Sequence, residues 1–398
     1  MLVILRISFY TAHMEQYIWQ NEHWPQFAWN EQTLLEPLLE VHTNEGVLRG
    51  QMQAVGFQVQ SEETLQRFVQ EIKKSFEIEG ENISDYALRS SVARQLKLEN
   101  LVLASDGQLD SPRAKVDAIV EVITDAVHNC NEPLTLERLC VWHEKLFRPN
   151  DSGRGCNGLY TILSGKLRTD EDGPMRVISG MGKNEIVHFQ APPAEQLPAQ
   201  MRTFLDWFNA PATSGNVIKS AIAHLYFVTL HPFEDGNGRL ARAVADMALC
   251  RDGSSATLSR VGHLFSMSAQ LCKERKAYYA QLEMAQKQKD MDITAWLLWY
   301  IGCMNRAIIT VLDTLQESQK KKRFWEKTDG LAINERQKKI LALLLDGFEG
   351  NLTSSKYAKI CHCSQDTAGR DIEKLIVAGL MQQTNAGGRS TAYEIRNP

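Results

Sequence analysis

His231-Pro-Phe-Glu-Asp235-Gly-Asn237-Gly-Arg239-Leu-Ala-Arg242 gathers an imidazole, a hard carboxylate, a glycine-rich turn and two guanidinium groups within twelve residues. Before it, Ile218, Ala221, Ile222, Leu225 and Thr229 share one face of a predicted helix over 216–230. Pro232 disfavours helix at His231, and a second helix restarts near Gly238 with Leu240, Val244 and Met247 inward. The segment is therefore a helix-loop-helix joint, and the joint fixes how its groups can point.

Gly236, Asn237 and Gly238 can turn the backbone tightly and aim successive N–H groups at an anion, at the positive end of the following helix. Arg239 and Arg242 lie three apart on that helix, so both can clamp phosphate oxygens. Asp235 is an oxygen ligand of the kind Mg2+ accepts beside phosphates, and a neutral His231 could take a proton from an incoming hydroxyl. Each part alone is ordinary. In this order, between two apolar helices, they point to a device that holds a nucleotide polyphosphate and activates a nucleophile beside it. No GxxxxGK[ST] occurs and the loop follows a helix, which excludes P-loop and dinucleotide-binding readings. Kinase motifs are missing as well.

The 398 residues allow two or three domains, and 43% hydrophobic and 23% charged residues with a net charge of -4 are ordinary for a soluble globular protein. That balance gives no global sign of a nucleic-acid or membrane partner. The apolar opening, Met1 to Tyr10, lacks the basic region and cleavage site of a signal peptide, and Met14 is an alternative start. Ile293 to Leu315 is apolar but contains Asn305, Arg306 and Asp313, so it reads as a buried globular helix. Eight cysteines at 130, 140, 156, 250, 272, 303, 361 and 363 form no CxxC pair, and Cys361-His-Cys363 sits in an apolar helical pattern without a second ligand pair. A reducing cytoplasm is the expected compartment.

Helical periodicity dominates the chain, including 19–56, 63–78, 84–98, 114–128, 136–147 and 194–209. Asp106 to Pro112 is a turn-rich break, and Arg148 to Gly155 is loop. One segment changes period: Met175 to Gly180 and Ile186 to Gln190 read as two strands around a polar turn, an isolated hairpin that must rest on the helical body. Gln316 to Lys327 reads as a linker or an exposed helix end. Beyond it, helices at 335–345, 355–361 and 365–378 precede a hairpin with a Gly387-Gly388 turn, the order of a winged helix-turn-helix. Residues 320–398 hold 14 Lys/Arg against 9 Asp/Glu, a surplus of five that leaves -9 for the remainder.

The 231–242 segment resembles the signature of the Fic family, HxFx(D/E)GNGRxxR, at every fixed position, and the likeness extends over roughly 130–300. It implies a mainly α fold: a Fic-type helical core with a β-hairpin flap, an N-terminal helical extension and a small C-terminal winged-helix domain. It also implies AMP transfer from ATP to a Ser, Thr or Tyr hydroxyl of a target protein, with pyrophosphate released. Under the resemblance His231 is the general base and Asp235 the Mg2+ ligand. Asn237 with the amides of Gly236 and Gly238 holds the transferred phosphate, and Arg239 and Arg242 bind the outer phosphates. The 175–190 hairpin resembles the flap that docks the target by strand addition, for which Val177, Ile178, Val187 and His188 are candidates. Tyr278 or Tyr279 is a candidate for the adenine side.

Ser75-Phe-Glu-Ile-Glu79-Gly80 puts Ser75 and Glu79 on one helix face, and Gly80 ends that helix. A carboxylate in a last turn opposes the helix dipole by a few tenths of a kcal/mol, which a partner arginine offsets. The segment is similar to the family's inhibitory motif, (S/T)xxxE(G/N), which implies that Glu79 pairs with Arg242, supported by Ser75. The expected division is 1–110 with the inhibitory helix at about 63–80, 111–318 as catalytic core, and 319–398 as linker and winged helix. The expected partners are ATP and a hydroxyl-bearing protein, the chain itself among the candidates, with no membrane. A homo-oligomer stays open. Two further readings stay open too: a DNA or protein partner for 330–398, through Gln365, Thr367, Arg370 and Lys374 despite Asp366, Asp371 and Glu373, and removal of AMP at the same site with Glu79 positioning water.

Overall fold

Helix α7 (Asn216–Leu230) is buried on every side from Val217 to Leu230, so it forms the axis against which the other elements of the first unit pack. The computed structural model describes residues 17–54, 57–98, 112–147, 162–180, 184–251, 264–384 and 391–396. Chain contacts divide it into two compact units, Met1–Val311 and Leu312–Pro398. The fold is mainly α.

In the first unit, α1 (Glu31–Ala54), α2 (Phe57–Ile78), α3 (Asp85–Gln95), α4 (Pro112–His128) and α5 (Leu136–Leu146) precede an antiparallel ribbon of β1 (Arg176–Ser179) and β2 (Ile186–Gln190). Then follow α6 (Leu197–Asn209), α7, α8 (Asn237–Cys250), α9 (Met267–Lys273), α10 (Arg275–Gln286) and α11 (Thr294–Thr328), the last of which passes into the second unit at Leu312. The N-terminal helices are part of this unit, because α2 packs along α9, α3, α4 and α8.

The N-terminal segment is not helical throughout. Trp24 and Phe27 precede α1 and pack edge-on against Tyr226 of α7, at 5.1 and 5.6 Å between centroids. Tyr17 packs with Met175, Phe189 and Ala191, and Trp19 Nε1 donates to Gln190 O at 2.7 Å. A lone ribbon is marginal in water, and these aromatics supply the apolar cover that it lacks. Its polar turn, 181–183, lies outside the described residues, as do the 148–155 loop, the 106–111 break, 1–16 and Gly387-Gly388.

Of the two readings of 316–327, a linker or a helix end, the structure shows helix: α11 runs unbroken through the segment and buries Phe324 in the second unit. By length and composition it could cross a membrane, yet 56% of its most apolar stretch is buried within the protein. Trp296 Nε1 donates to Ala221 O of α7 at 2.9 Å, and Tyr300 Oη lies 3.1 Å from Ser220 Oγ.

The second unit packs Phe324 with α12 (Glu335–Leu345), α13 (Ser354–Cys361), α14 (Gln365–Val377) and a ribbon of β3 (Met381–Gln383) and β4 (Tyr393–Ile395). Side chains of Asn334, Thr353 and Ser364 cap the three helices at their N-termini. Asp371 is not the surface charge that its place on α14 suggests. It is 4% exposed and accepts from Arg336 Nε at 2.9 Å, Asn334 Nδ2 at 2.9 Å and Tyr357 Oη at 3.1 Å. Asp371→Ala strands these donors and should destabilise this unit by about 2–4 kcal/mol. Faster hydrogen exchange confined to the amides of α12–α14 checks it, and unchanged protection refutes it.

Candidate active site

Helix α7 ends at Leu230, two residues before Pro232, which disfavours helix at His231. His231 takes up the left-handed conformation (φ 48°, ψ 56°), which costs a non-glycine residue about 1 kcal/mol or more. Three contacts hold it there. His231 N donates to Phe227 O at 3.1 Å, its Nδ1 lies 3.2 Å from Val228 O, and Arg168 Nε donates to His231 O at 2.7 Å. A carbonyl only accepts, so the proton sits on Nδ1 and Nε2 carries the lone pair. That Nε2 is buried without a hydrogen-bond partner among the described residues, and His231 lines a cavity of about 580 Å³. Burial pushes its pKa down to about 4, helped by the Arg168 charge, so the ring is neutral at neutral pH.

The loop then closes on itself. Asn237 accepts from Phe233 N at 3.0 Å and donates to Phe233 O at 2.7 Å. Its side chain thus closes the loop through Oδ1 and one Nδ2 hydrogen, which leaves the second Nδ2 hydrogen and the backbone N–H for an anion. Gly236 has φ 75°, and a Cβ there would lie 2.6 Å from the Phe147 ring, so both conformation and space require glycine. Asp235 Oδ1 accepts from Gly236 N at 2.6 Å. Asp235, Gly236, Asn237 and Gly238 line the cavity, and the first-turn N–H groups of α8 have no partner within the helix.

Two residues that the sequence reading missed hold this loop. Arg168 is buried and donates to His231 O, to Pro192 O at 2.5 Å and to Asp170 Oδ1 at 2.8 Å, tying the loop to the end of the flap. His143 accepts from Gly165 N at 2.9 Å on Nδ1, which leaves Nε2 to donate to Asp235 O at 3.2 Å, and its ring stacks on Phe233 at 4.3 Å. Nothing local in the sequence marks Arg168. His143 lies in a plain amphipathic helix pattern.

Neither arginine lines the cavity. Arg239 lies between the rings of Phe76 and Phe147, at 5.1 and 4.8 Å, and its Nη1 donates to Glu81 Oε1 at 2.6 Å. Arg242 donates from Nε to Ser75 Oγ at 2.8 Å, and from Nη2 to Ser75 O at 2.8 Å and Glu79 Oε1 at 2.9 Å. Burial alone would lower the Arg242 pKa, but the charge and hydrogen bond of Glu79, with Tyr278 and Tyr279 nearby, together outweigh it and hold the pKa above its usual value. Gly80 (φ 84°) stops α2: its N–H reaches Glu77 O and the next N–H reaches Phe76 O, both at 3.0 Å, which turns the chain so that Glu81 meets Arg239. Gly238 gives Glu79 room, because a Cβ there would collide with its carboxylate.

Of the remaining candidates, Tyr278 and Tyr279 line the cavity, but Tyr278 Oη lies 2.8 Å from His224 Nε2 and Tyr279 Oη donates to Ile78 O at 3.3 Å. Their hydroxyls are therefore committed within the protein. Val177 and His188 also line the cavity, whereas Val187 does not and Ile178 is fully buried, so Ile178 belongs to the core and not to an open docking face.

This arrangement coincides with matches to known proteins. The Fic/DOC family model matches residues 133–249, and a domain of unknown function (DUF4172) matches 17–98. Residues 133–249 thus carry the likeness to the Fic/DOC family. A probable protein adenylyltransferase of Aquifex aeolicus is 26% identical over 184 residues, which is 44% of this chain and 51% of that protein. A uridine 5'-monophosphate transferase of Xanthomonas campestris is 28% identical over 155 residues, 36% of this chain and 27% of that one. The match thus spans about half of the Aquifex relative and about a quarter of the Xanthomonas one. The crystal structure of a Fic family protein from Desulfovibrio desulfuricans has a TM-score of 0.48 at 17% identity, over 90% of this chain and 95% of that one.

Burial also depresses two other histidines of this region, His143 to about 4 and His224 to about 3, from 6.5. With His231, they bind protons near pH 6.5 when unfolded but resist them to about 4 or below when folded. The unfolded state takes up more protons in that window, so stability is full above the unfolded value and falls as pH drops through it, by roughly 2 kcal/mol per ring at pH 5. The urea midpoint should be lower at pH 5 than at pH 7 at equal ionic strength. An equal or higher midpoint refutes the assignment of neutral rings.

Proposed function

We propose that the chain is an autoinhibited protein adenylyltransferase, moving AMP from ATP to a Ser, Thr or Tyr hydroxyl of a protein and releasing pyrophosphate. The carrying observation is the set of His231, which lines the cavity together with the N-terminus of α8: Nδ1 is engaged by Val228 O, while Nε2 has no hydrogen-bond partner among the described residues. In this reading Nε2 takes the proton of the target hydroxyl as its oxygen attacks the α-phosphorus. The first-turn N–H groups of α8 hold phosphate oxygens. Asp235 fits a Mg2+ ion, because its carboxylate lines the cavity next to those N–H groups, and Mg2+ takes one or two protein carboxylates with phosphate oxygens completing the shell. Such an ion would neutralise phosphate charge.

The brake is the Glu79 carboxylate on Arg242, with Ser75 behind it. A terminal phosphate of ATP would compete for the same guanidinium, and Glu81 on Arg239 is a second acid to displace. A charge-assisted contact of this kind is worth about 2–3 kcal/mol.

Incubation with labelled ATP and Mg2+ tests the reading. Glu79→Gly should raise AMP incorporation into protein on the order of a hundredfold, and His231→Ala should abolish it in either background. Glu81→Ala should raise it less. An unchanged rate in Glu79→Gly rejects the brake. Preference for UTP over ATP would reject adenylyl transfer in favour of the other nucleotide named among the relatives.

A further inference from the structure

The cavity holds a second constellation, on the flap, that plays no part in the chemistry above. Cross-strand pairs run Val177 with Phe189 and Ile178 with Val187, so His188 has no partner in β1 and forms a bulge in β2. Bulges beside active sites re-aim the side chain that they carry. Here the imidazole reaches two neighbours: Nε2 lies 2.6 Å from Ser179 Oγ, and Nδ1 lies 2.9 Å from Glu283 Oε2 on α10. Burial pushes the Glu283 carboxyl up, but its bonds to His188 and Lys287 outweigh that and hold it below its usual range, so it is a carboxylate. A carboxylate accepts, which puts the imidazole proton on Nδ1 and leaves Nε2 to accept from the serine hydroxyl. Ser179, His188 and Glu283 all line the cavity that His231 and the N-terminus of α8 also line, and Ser179 is half-buried, not sealed. A nucleophile bonded to a base that a carboxylate orients is the arrangement that activates a serine. A flap that needed only a tether would be served by His188 and Glu283 without a hydroxyl on the accepting nitrogen.

Resting on the nucleotidyl-transfer reading, we propose that Ser179 is a self-modification site, an internal acceptor for the nucleoside monophosphate of a nucleoside triphosphate bound in the same cavity. Ser179 Oγ bonds to the α-phosphorus as the bond from that phosphorus to the oxygen bridging the β-phosphate breaks. The electron pair leaves with pyrophosphate. The hydroxyl proton passes to His188 Nε2 and on to solvent, and Glu283 steadies the transient imidazolium. The product is a phosphodiester on the flap, seated in the space that the next triphosphate must enter.

The full-length Glu79→Gly chain, incubated with ATP and Mg2+ and mapped by peptide mass spectrometry, tests this. The expected result is the mass of one AMP on the peptide containing Ser179, lost in Ser179→Ala. In His188→Asn it should fall about tenfold or more relative to the label on the other peptides, the usual scale for removing a general base. Undiminished Ser179 labelling in His188→Asn overturns the role given to the imidazole. Label on other peptides or on added lysate proteins, with none on Ser179, overturns the inference and leaves the transferase reading intact. No adduct on any protein with any of the common nucleoside triphosphates overturns both.

Discussion

Everything at the cavity depends on how the chain leaves α7. Pro232 denies His231 a helical conformation, and the left-handed one that it adopts is repaid by Arg168, whose guanidinium grips the His231 carbonyl and the chain beyond the flap at once. The same bend lets Nδ1 reach back to Val228 O, which fixes the tautomer. A relaxed helix end would carry the ring elsewhere, with its protonation left to solvent. The backbone strain and the orientation of the lone pair are therefore one feature.

Burial then dictates the electrostatics of α8. Arg239 and Arg242 are each 3% exposed, and a guanidinium so placed needs partners, because an uncompensated buried charge costs several kcal/mol. Aromatic faces and Glu81 serve Arg239, while Ser75 and Glu79 serve Arg242. All these partners except Phe147, at the end of α5, come from the last turns of α2 and its exit. A ligand that reaches either arginine must bring its own negative charge, since water alone would not repay the loss of the carboxylate.

The loop and the α2 motif were legible because each is contiguous: fixed spacing in the sequence becomes fixed spacing on one helix. The pairing of Glu79 with Arg242 was legible only through family resemblance, since 162 residues of intervening chain carry no local sign of it. Arg168, His143 and Glu283 stayed invisible because their partners are backbone atoms or side chains far away in sequence. Asn237 was legible only in part: an amide beside two glycines suits an anion, and the fold adds that it also closes its own loop. Glu81 could have been found, because a glycine helix stop returns the chain toward the helix that it has just left. The continuous α11 was obscured by the run of lysines on its surface, which looks like a linker when the buried Phe324 within it is passed over.

Helix α10 ties these parts together. Tyr278 meets His224 of α7, Tyr279 donates to Ile78 O one residue before Glu79, and Glu283 holds the bulged His188 of the flap. The end of α2 and the axis helix thus rest on one turn of this short helix, and the flap on the next. Tyr279, whose acceptor lies one residue before Glu79, stands on the same cavity wall as Glu283. The brace on the end of α2 and the brace on the flap are therefore one element.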